Sequence, residues 1–183
     1  MTAPWMDDSE ILLILKHLYY TDTMLEWGSG GSTMYFPHFV KDYHSIEHDK
    51  EWHDNITQQL KDTSSNVDYH YVDRDLPISS PSTYEQYKNY IEHIHKLGVK
   101  TFDKVLVDGR GRGWCAETAL QYLHKDSIVF IHDFWNRPKY HIVFNWYDEI
   151  DSIKTPGLQT IVALKPKAEY VGPNRIKTPL EDA

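Results

Sequence analysis

Apolar positions recur along this chain with two periods, and the switches between them mark out the elements. ILLILKHLYY predicts a helix that Asp8 or Ser9 caps and that runs to about Tyr20. TMLEW, near residues 22–27, is a short apolar strand running directly into GSGGST. TMYFPHFV reads as a helix interrupted near Pro37. DYHSIEH predicts a second strand ending at Glu47. EWHDNITQQL predicts an amphipathic helix with Trp52 and Ile56 on one face, and VDYHYV a third strand. Residues 74–83, rich in proline and serine, form the best internal loop. TYEQYKNYIEHIHKL predicts a helix that Gly98 ends. FDKVLVD is a fourth strand, GRGRG a turn, and WCAETALQYL a helix. SIVFIHD is a fifth strand whose apolar interior suits a parallel strand covered on both faces. YHIVFNWYDEI is expected to be helical. DSIKT and LQTIVALKP are then two strands joined at Pro156 and Gly157, too close for a parallel crossover, so they form an antiparallel hairpin.

Five strands in βα alternation and a final hairpin predict a three-layer αβα sandwich with a seven-stranded, mostly parallel sheet. The 183 residues fit one domain, expected over residues 1–167, with a polar and irregular tail at 168–183. Ligands on open sheets collect beyond the C-terminal strand ends. Glu26, Glu47, Asp73, Asp108 and Asp133 all stand at such ends.

Composition narrows the partners. A formal net charge of −8 argues against broad contact with nucleic acid or an anionic membrane. The stretch before Tyr20 is too short for a membrane span and reads as a buried helix. Cys115 is the sole cysteine, which rules out an intramolecular disulfide and a cysteine-built metal site. A cytoplasmic or other reducing compartment is the expectation. The string is equally compatible with one domain of a larger protein, and it leaves the oligomeric state open.

The chemistry centres on EWGSGGST. Gly28, Gly30 and Gly31 remove bulk where backbone must bend and approach a ligand, and Ser29, Ser32 and Thr33 add hydroxyls. A P-loop needs a lysine before the hydroxyl residue, and none follows Gly31. A dinucleotide would bring pyrophosphate close to Glu26. S-adenosylmethionine carries a cationic sulfonium and an ammonium but no phosphate, so an acid here suits it better. Glu47 lies about twenty residues past the glycines, where a second-strand carboxylate takes the ribose hydroxyls.

On these residues the chain resembles class I, Rossmann-like S-adenosylmethionine-dependent methyltransferases over nearly its whole length. LEWGSGGST resembles their first motif, SIEHD the second, VLVDGR the fourth and IVFIHDF the fifth-strand motif. The resemblance implies cofactor contacts from Glu26, Gly28, Ser29, Gly30, Ser32, Thr33, Glu47 and Asp108. It also implies that the seventh strand inserts between the fifth and sixth. Trp52, or Tyr71 and Val72, would then border the adenine, unless Trp52 packs in the core.

Methyl transfer needs an aligned acceptor and, for a hydroxyl, a proton acceptor. Asp108, His132, Asp133 and Arg110 are the catalytic candidates, His132 because imidazole titrates near neutrality. His132 and Asp133 are adjacent, however, and adjacent strand residues face opposite ways. Arg110 and Arg112 hold an anionic substrate, pair with Asp108 and Asp133, or are solvated. Some O-methyltransferases of this fold bind a divalent ion with acids after the fourth and fifth strands. Asp108 and Asp133 resemble that pair and would take Mg2+ or Mn2+. Phe134 stands where the third ligand is expected, and Asn136 is offset. Trp114, Trp135 and Tyr140 either border the pocket or fill the layers. Resemblance to small glycan-modifying enzymes makes a sugar hydroxyl or related small acceptor the leading expectation. Methylation of a nitrogen or an aromatic hydroxyl is an alternative, and so is a non-catalytic cofactor-binding or scaffolding domain.

Overall fold

The computed structural model describes residues 3–61, 66–154 and 160–181. Seven strands form one sheet: β1 Thr23–Trp27, β2 Asp42–Glu47, β3 Val67–Tyr71, β4 Phe102–Val107, β5 Leu123–His132, β6 Tyr147–Lys154 and β7 Thr160–Pro166. Their spatial order is β3-β2-β1-β4-β5-β7-β6, with β1 to β5 parallel and β7 antiparallel to both its neighbours. The expected sandwich with its inserted seventh strand is therefore present. The turn expected at Pro156 and Gly157 lies outside the described residues. No described helix is long and apolar enough to cross a membrane.

Strand alternation builds two cores. Met24, Tyr43, Leu106, Phe130 and Ala163 face α1 (Asp8–Leu15) and α2 (Gly31–Tyr35). Leu25, Trp27, Val105, Val107, Val129 and Ile131 face α4 (Lys88–Glu92) and α5 (Arg112–Ala119). α3, Lys50–Leu60, flanks β2 and β3. Continuing the first parity to the strand ends puts Glu26, Glu47, Asp108 and His132 on the α1 and α2 side. The period that hides the core thus also sorts the chemistry.

Four helices depart from their expected spans, α5 among them, since it starts at Arg112 inside the expected turn and gives way to a 3₁₀ turn after Ala119. α1 is capped at Asp7 rather than Asp8 or Ser9, and Glu10 accepts from the Asp7 N–H at 2.9 Å. It stops at Leu15 because Asp22 draws the chain into a turn, accepting from the Tyr19 N–H at 2.8 Å while pairing with buried Lys104 at 3.4 Å. The helix expected from Thr83 breaks into 3₁₀ turns around α4. Its own backbone groups are used elsewhere: the Tyr90 carbonyl accepts from the Trp27 indole at 3.1 Å, and Asp75 takes the Asn89 N–H at 2.8 Å. YHIVFNWYDEI is 3₁₀ only through Asn145. Its last residues belong to β6, where Tyr147, Asp148 and Glu149 pair with Pro166, Lys165 and Leu164 of β7. The tail is also less irregular than expected. It forms short 3₁₀ turns, and the Leu180 N–H donates to Glu117 of α5 at 3.0 Å.

The chain reverses its direction of winding between β1 and β4, and the backbones after these strands nearly touch. Gly28 has φ +91, and a Cβ there would collide with the Gly109 backbone. Gly98 has a similar φ of +71 but faces open space. Gly98→Ala should therefore cost about 1 kcal/mol of conformational strain alone. Gly28→Ala should cost clearly more, because the two loops must separate. Urea unfolding of the two variants measures the difference, and equal losses would show that the close approach does not matter.

Candidate functional site

The reversal between β1 and β4 opens a cleft of about 800 Å3 beyond the strand ends. The glycine turn, the start of α3, the loop after β4 and the N-terminal segment around Trp5 and Met6 line it.

Glu26 holds the turn from beneath. It is fully buried and accepts from the hydroxyls of Ser32 at 2.5 Å, Thr33 at 2.6 Å and Ser45 at 2.7 Å. Burial pushes its pKa up to about 7, against the opposing pull of the three hydroxyls. Gly31 admits the chain on top: a Cβ there would strike Ala3, whose segment lies across the turn.

Glu47 ties the turn to β2. Its Oε2 accepts from the Ser29 N–H at 2.8 Å and hydroxyl at 3.0 Å, and its Oε1 from the N–H groups of His48 and Asp49, each at 2.8 Å. Burial opposes its ionisation, but the His48 side chain and these N–H groups outweigh burial and hold its pKa below the usual carboxylate range. Glu47 is therefore an anion in the wall of the cleft. Trp52 stands over the turn and donates to the Ser29 carbonyl at 2.7 Å, and Trp5 packs on it with ring centroids 5.3 Å apart.

At the other end, charges alternate in a row. His132 Nδ1 lies 2.9 Å from Asp108 Oδ1, and its Nε2 lies 3.5 Å from Glu10 of α1. Arg112 Nη2 lies 3.3 Å from Asp108 Oδ1 and 3.4 Å from Asp133 Oδ2. Arg137 Nη2 completes the row at 2.8 Å from Asp133 Oδ2. Burial would lower the His132 pKa, but Asp108 and Glu10 overcome it and raise it to about 9. Asp133 adopts φ +51, which turns the chain abruptly beyond β5.

Solved structures share this architecture. A methyltransferase-like protein from Silicibacter pomeroyi superposes with a TM-score of 0.67 at 22% identity, over 92% of each chain. The N-methyltransferase NodS from Bradyrhizobium japonicum gives 0.61 at 12% identity, over 86% of this chain and 92% of that one. The precorrin 8w decarboxylase of Methanobacterium thermoautotrophicum gives 0.60 at 13% identity, over 91% and 92%. This chain has a class I methyltransferase-like fold. No family model matches it, and no curated protein matches it in sequence. At these identities the likeness is one of fold.

The methyltransferase-like fold distributes the expected residues unequally. Gly28, Ser29, Gly30, Ser32, Glu47, Asp108 and Arg110 line the large cleft. Glu26 and Thr33 lie beneath it, bonded to each other. His132 is only 3% exposed and borders neither this cleft nor a smaller one beside it. Asp133 borders neither cleft as well, and Arg112 and Arg137 hold its carboxylate. Asp73 turns to the Arg74 N–H at 2.8 Å, outside the cleft. Trp52 lines the cleft, whereas Tyr71 and Val72 do not. Trp114 and Tyr140 border the smaller cleft, while Trp135 carries Lys154 over its ring at 3.5 Å. Cys115 is a packed thiol whose pKa burial pushes well up.

Asp108 and Asp133 do not fit a divalent cation, because one nitrogen of Arg112 already lies between them. Phe134 is buried in the core and Asn136 is exposed, so neither completes a ligand set. Among the described residues, no group of three or more His, Cys, Asp or Glu is placed to hold a metal. Three participants escaped sequence reasoning. Glu10 and Trp5 come from the N-terminal segment, and Arg137 follows β5. The one signal for Glu10 was its acid three residues past the Asp7 cap.

The row predicts a pH dependence. The folded-state pKa of His132, about 9, exceeds the unperturbed 6.5. Its contribution to stability is complete below the lower value and is lost as pH rises through the higher one. The stability gap between wild type and His132→Asn should shrink by on the order of 3 kcal/mol from about pH 6 to about pH 9.5. Urea unfolding at several pH values measures it, and a gap independent of pH would mean that the ring is buried neutral.

Proposed function

We propose that the large cleft binds S-adenosylmethionine and that the chain transfers its methyl group to a hydroxyl of a sugar or related small acceptor. The observation that carries the donor assignment is the glycine turn at the β1/β4 reversal, with the Glu47 carboxylate beside it in the cleft wall. The cleft volume of about 800 Å3 falls within the range of cofactor sites. Glu47, Asp49 and Glu51 at the α3 end favour a ligand with hydroxyls and positive charge over a pyrophosphate. When bound, S-adenosylmethionine supplies a methyl carbon activated by its sulfonium.

The chain's own residues then have distinct roles. Glu47 accepts hydrogen bonds from the ribose hydroxyls, exchanging the Ser29 hydroxyl for one of them. Trp52, with Trp5 packed on it, presents an aromatic face for the adenine. The smaller cleft, lined by Trp114 and Tyr140 and sharing Arg110 and Arg137 with the large one, receives the acceptor. Asp108 is the carboxylate of the charged row that faces the donor cleft. His132 and Arg112 engage its Oδ1, and its Oδ2 accepts no bond among the described residues. Oδ2 is the atom that orients the acceptor hydroxyl and takes its proton. This proton moves late, as the acceptor oxygen becomes positive on bonding to the methyl carbon. His132 and Asp133 position Asp108 and Arg112 and do not touch substrate.

Calorimetric titration with S-adenosylhomocysteine tests the donor assignment. Glu47→Ala should weaken binding roughly tenfold to a hundredfold, the loss of a charge-assisted hydrogen bond to a hydroxyl. Glu47→Gln, which retains the shape of the wall, should fall between. No binding to folded wild type at millimolar ligand would sink the assignment.

A further inference from the structure

The smaller cleft has a volume of about 260 Å3 and is lined on one side by Trp114 and Tyr140. Arg110, Arg137 and Lys139 also line it, against a single acid, Glu117. That acid is already engaged, accepting from the Leu180 N–H at 3.0 Å, and burial raises its pKa. It is therefore a poor counter-charge for the three cations.

The cations are themselves underused. Among the described residues Arg110 makes no ion pair, although it is exposed at the junction of the two clefts. Lys139 makes none either and sits 5.3 Å from the centroid of the Tyr140 ring. Arg137 gives one nitrogen to Asp133 and leaves the rest of its guanidinium open. In a chain of net charge −8, cations gathered around one aromatic-walled cleft oppose the overall composition. Like charges placed together repel, and a ligand of opposite charge relieves that repulsion. Guanidinium groups bind oxyanions through paired N–H donors.

We propose that the acceptor carries an oxyanion, a carboxylate or a phosphate, which Arg110, Arg137 and Lys139 hold while its ring lies against Trp114 and Tyr140. This rests on the reading of the smaller cleft as the acceptor site. The volume restricts the acceptor to a small molecule or one terminal unit, such as a sugar acid, a sugar phosphate or a hydroxylated aromatic acid. The anion determines which way the acceptor enters and so which hydroxyl reaches Asp108. Neutral sugars of the same shape lack that anchor.

Matched probes test the charge. Protein with and without saturating S-adenosylhomocysteine is titrated with glucuronate and glucose 6-phosphate against glucose, and with 4-hydroxybenzoate against 4-hydroxybenzamide. In at least one set the anionic member should bind about tenfold or more tightly than the neutral one, and raised salt should erode the preference. The two glucose derivatives distinguish carboxylate from phosphate. Lys139→Gln, outside the large cleft, should reduce the preference several-fold without changing the affinity for S-adenosylhomocysteine. Equal or tighter binding of every neutral partner, or no binding of any probe at millimolar concentration, overturns the proposal. So does an anion preference that Lys139→Gln and Arg110→Gln leave intact. Retained anion preference in protein that binds no S-adenosylhomocysteine would support the charged cleft while removing the donor assignment, so the two readings fail separately.

Discussion

A buried imidazolium between two carboxylates is the interaction on which this site depends. His132 ends β5, Glu10 belongs to α1, and Asp108 follows β4. Their attraction links a helix to two strand ends at the point where the sheet meets its ligand cleft. Arg112 extends the link to α5, and Asp133 with Arg137 extends it beyond β5. Each group in the row has an opposite neighbour. Removing His132 leaves the buried Glu10 without its opposite charge, which costs about 3–5 kcal/mol. The row therefore fixes Asp108 from two sides, and it does so with the histidine that the sequence offers as a base.

Beneath the cleft the constraint is one of space rather than charge. Gly28 and Gly109 approach too closely for a side chain on either. Glu26 adds a second restraint by gathering the Ser32, Thr33 and Ser45 hydroxyls under the turn. With Glu47 holding Ser29 from the side, the turn is fixed before a ligand enters. Preorganisation of this kind removes part of the ordering cost of binding.

Much of this was legible in the string because parallel strands announce themselves twice, by their apolar runs and by the glycines and acids at their C-terminal ends. β1, β2, β3 and β4 fell where the pattern put them, and the glycine turn and Glu47 came with them, while β5 begins at Leu123, ahead of the expected SIVFIHD run. Parity also carried a correct warning: His132 and Asp133 cannot share a direction. What parity could not supply was the partner. Glu10 lies far from His132 in the chain, and only the packing of α1 on the sheet brings them together. The helix from Thr83 failed for a related reason. Its period is helical, but the Trp27 indole and Asp75 take groups that the helix ladder needed. The hairpin's early start at Tyr147 was hidden in the same way, because pairing with β7 overrode an ambiguous local preference.

The two ends of the large cleft differ in charge, and that difference bears on the proposed mechanism. Acids gather at the start of α3, while arginines gather near α5 and the segment after β5. A donor with separated positive and negative groups has one favoured direction in such a field. On the proposed reading, an acceptor entering from the smaller cleft meets the arginines before it meets Asp108. The Arg112 guanidinium also lies against Asp108 and Asp133 and fixes the carboxylate that faces the cleft. Under the proposed reading the site works chiefly by orientation. For a methyl group already activated by positive sulfur this is a coherent arrangement, since placing the oxygen in line contributes more than removing its proton early.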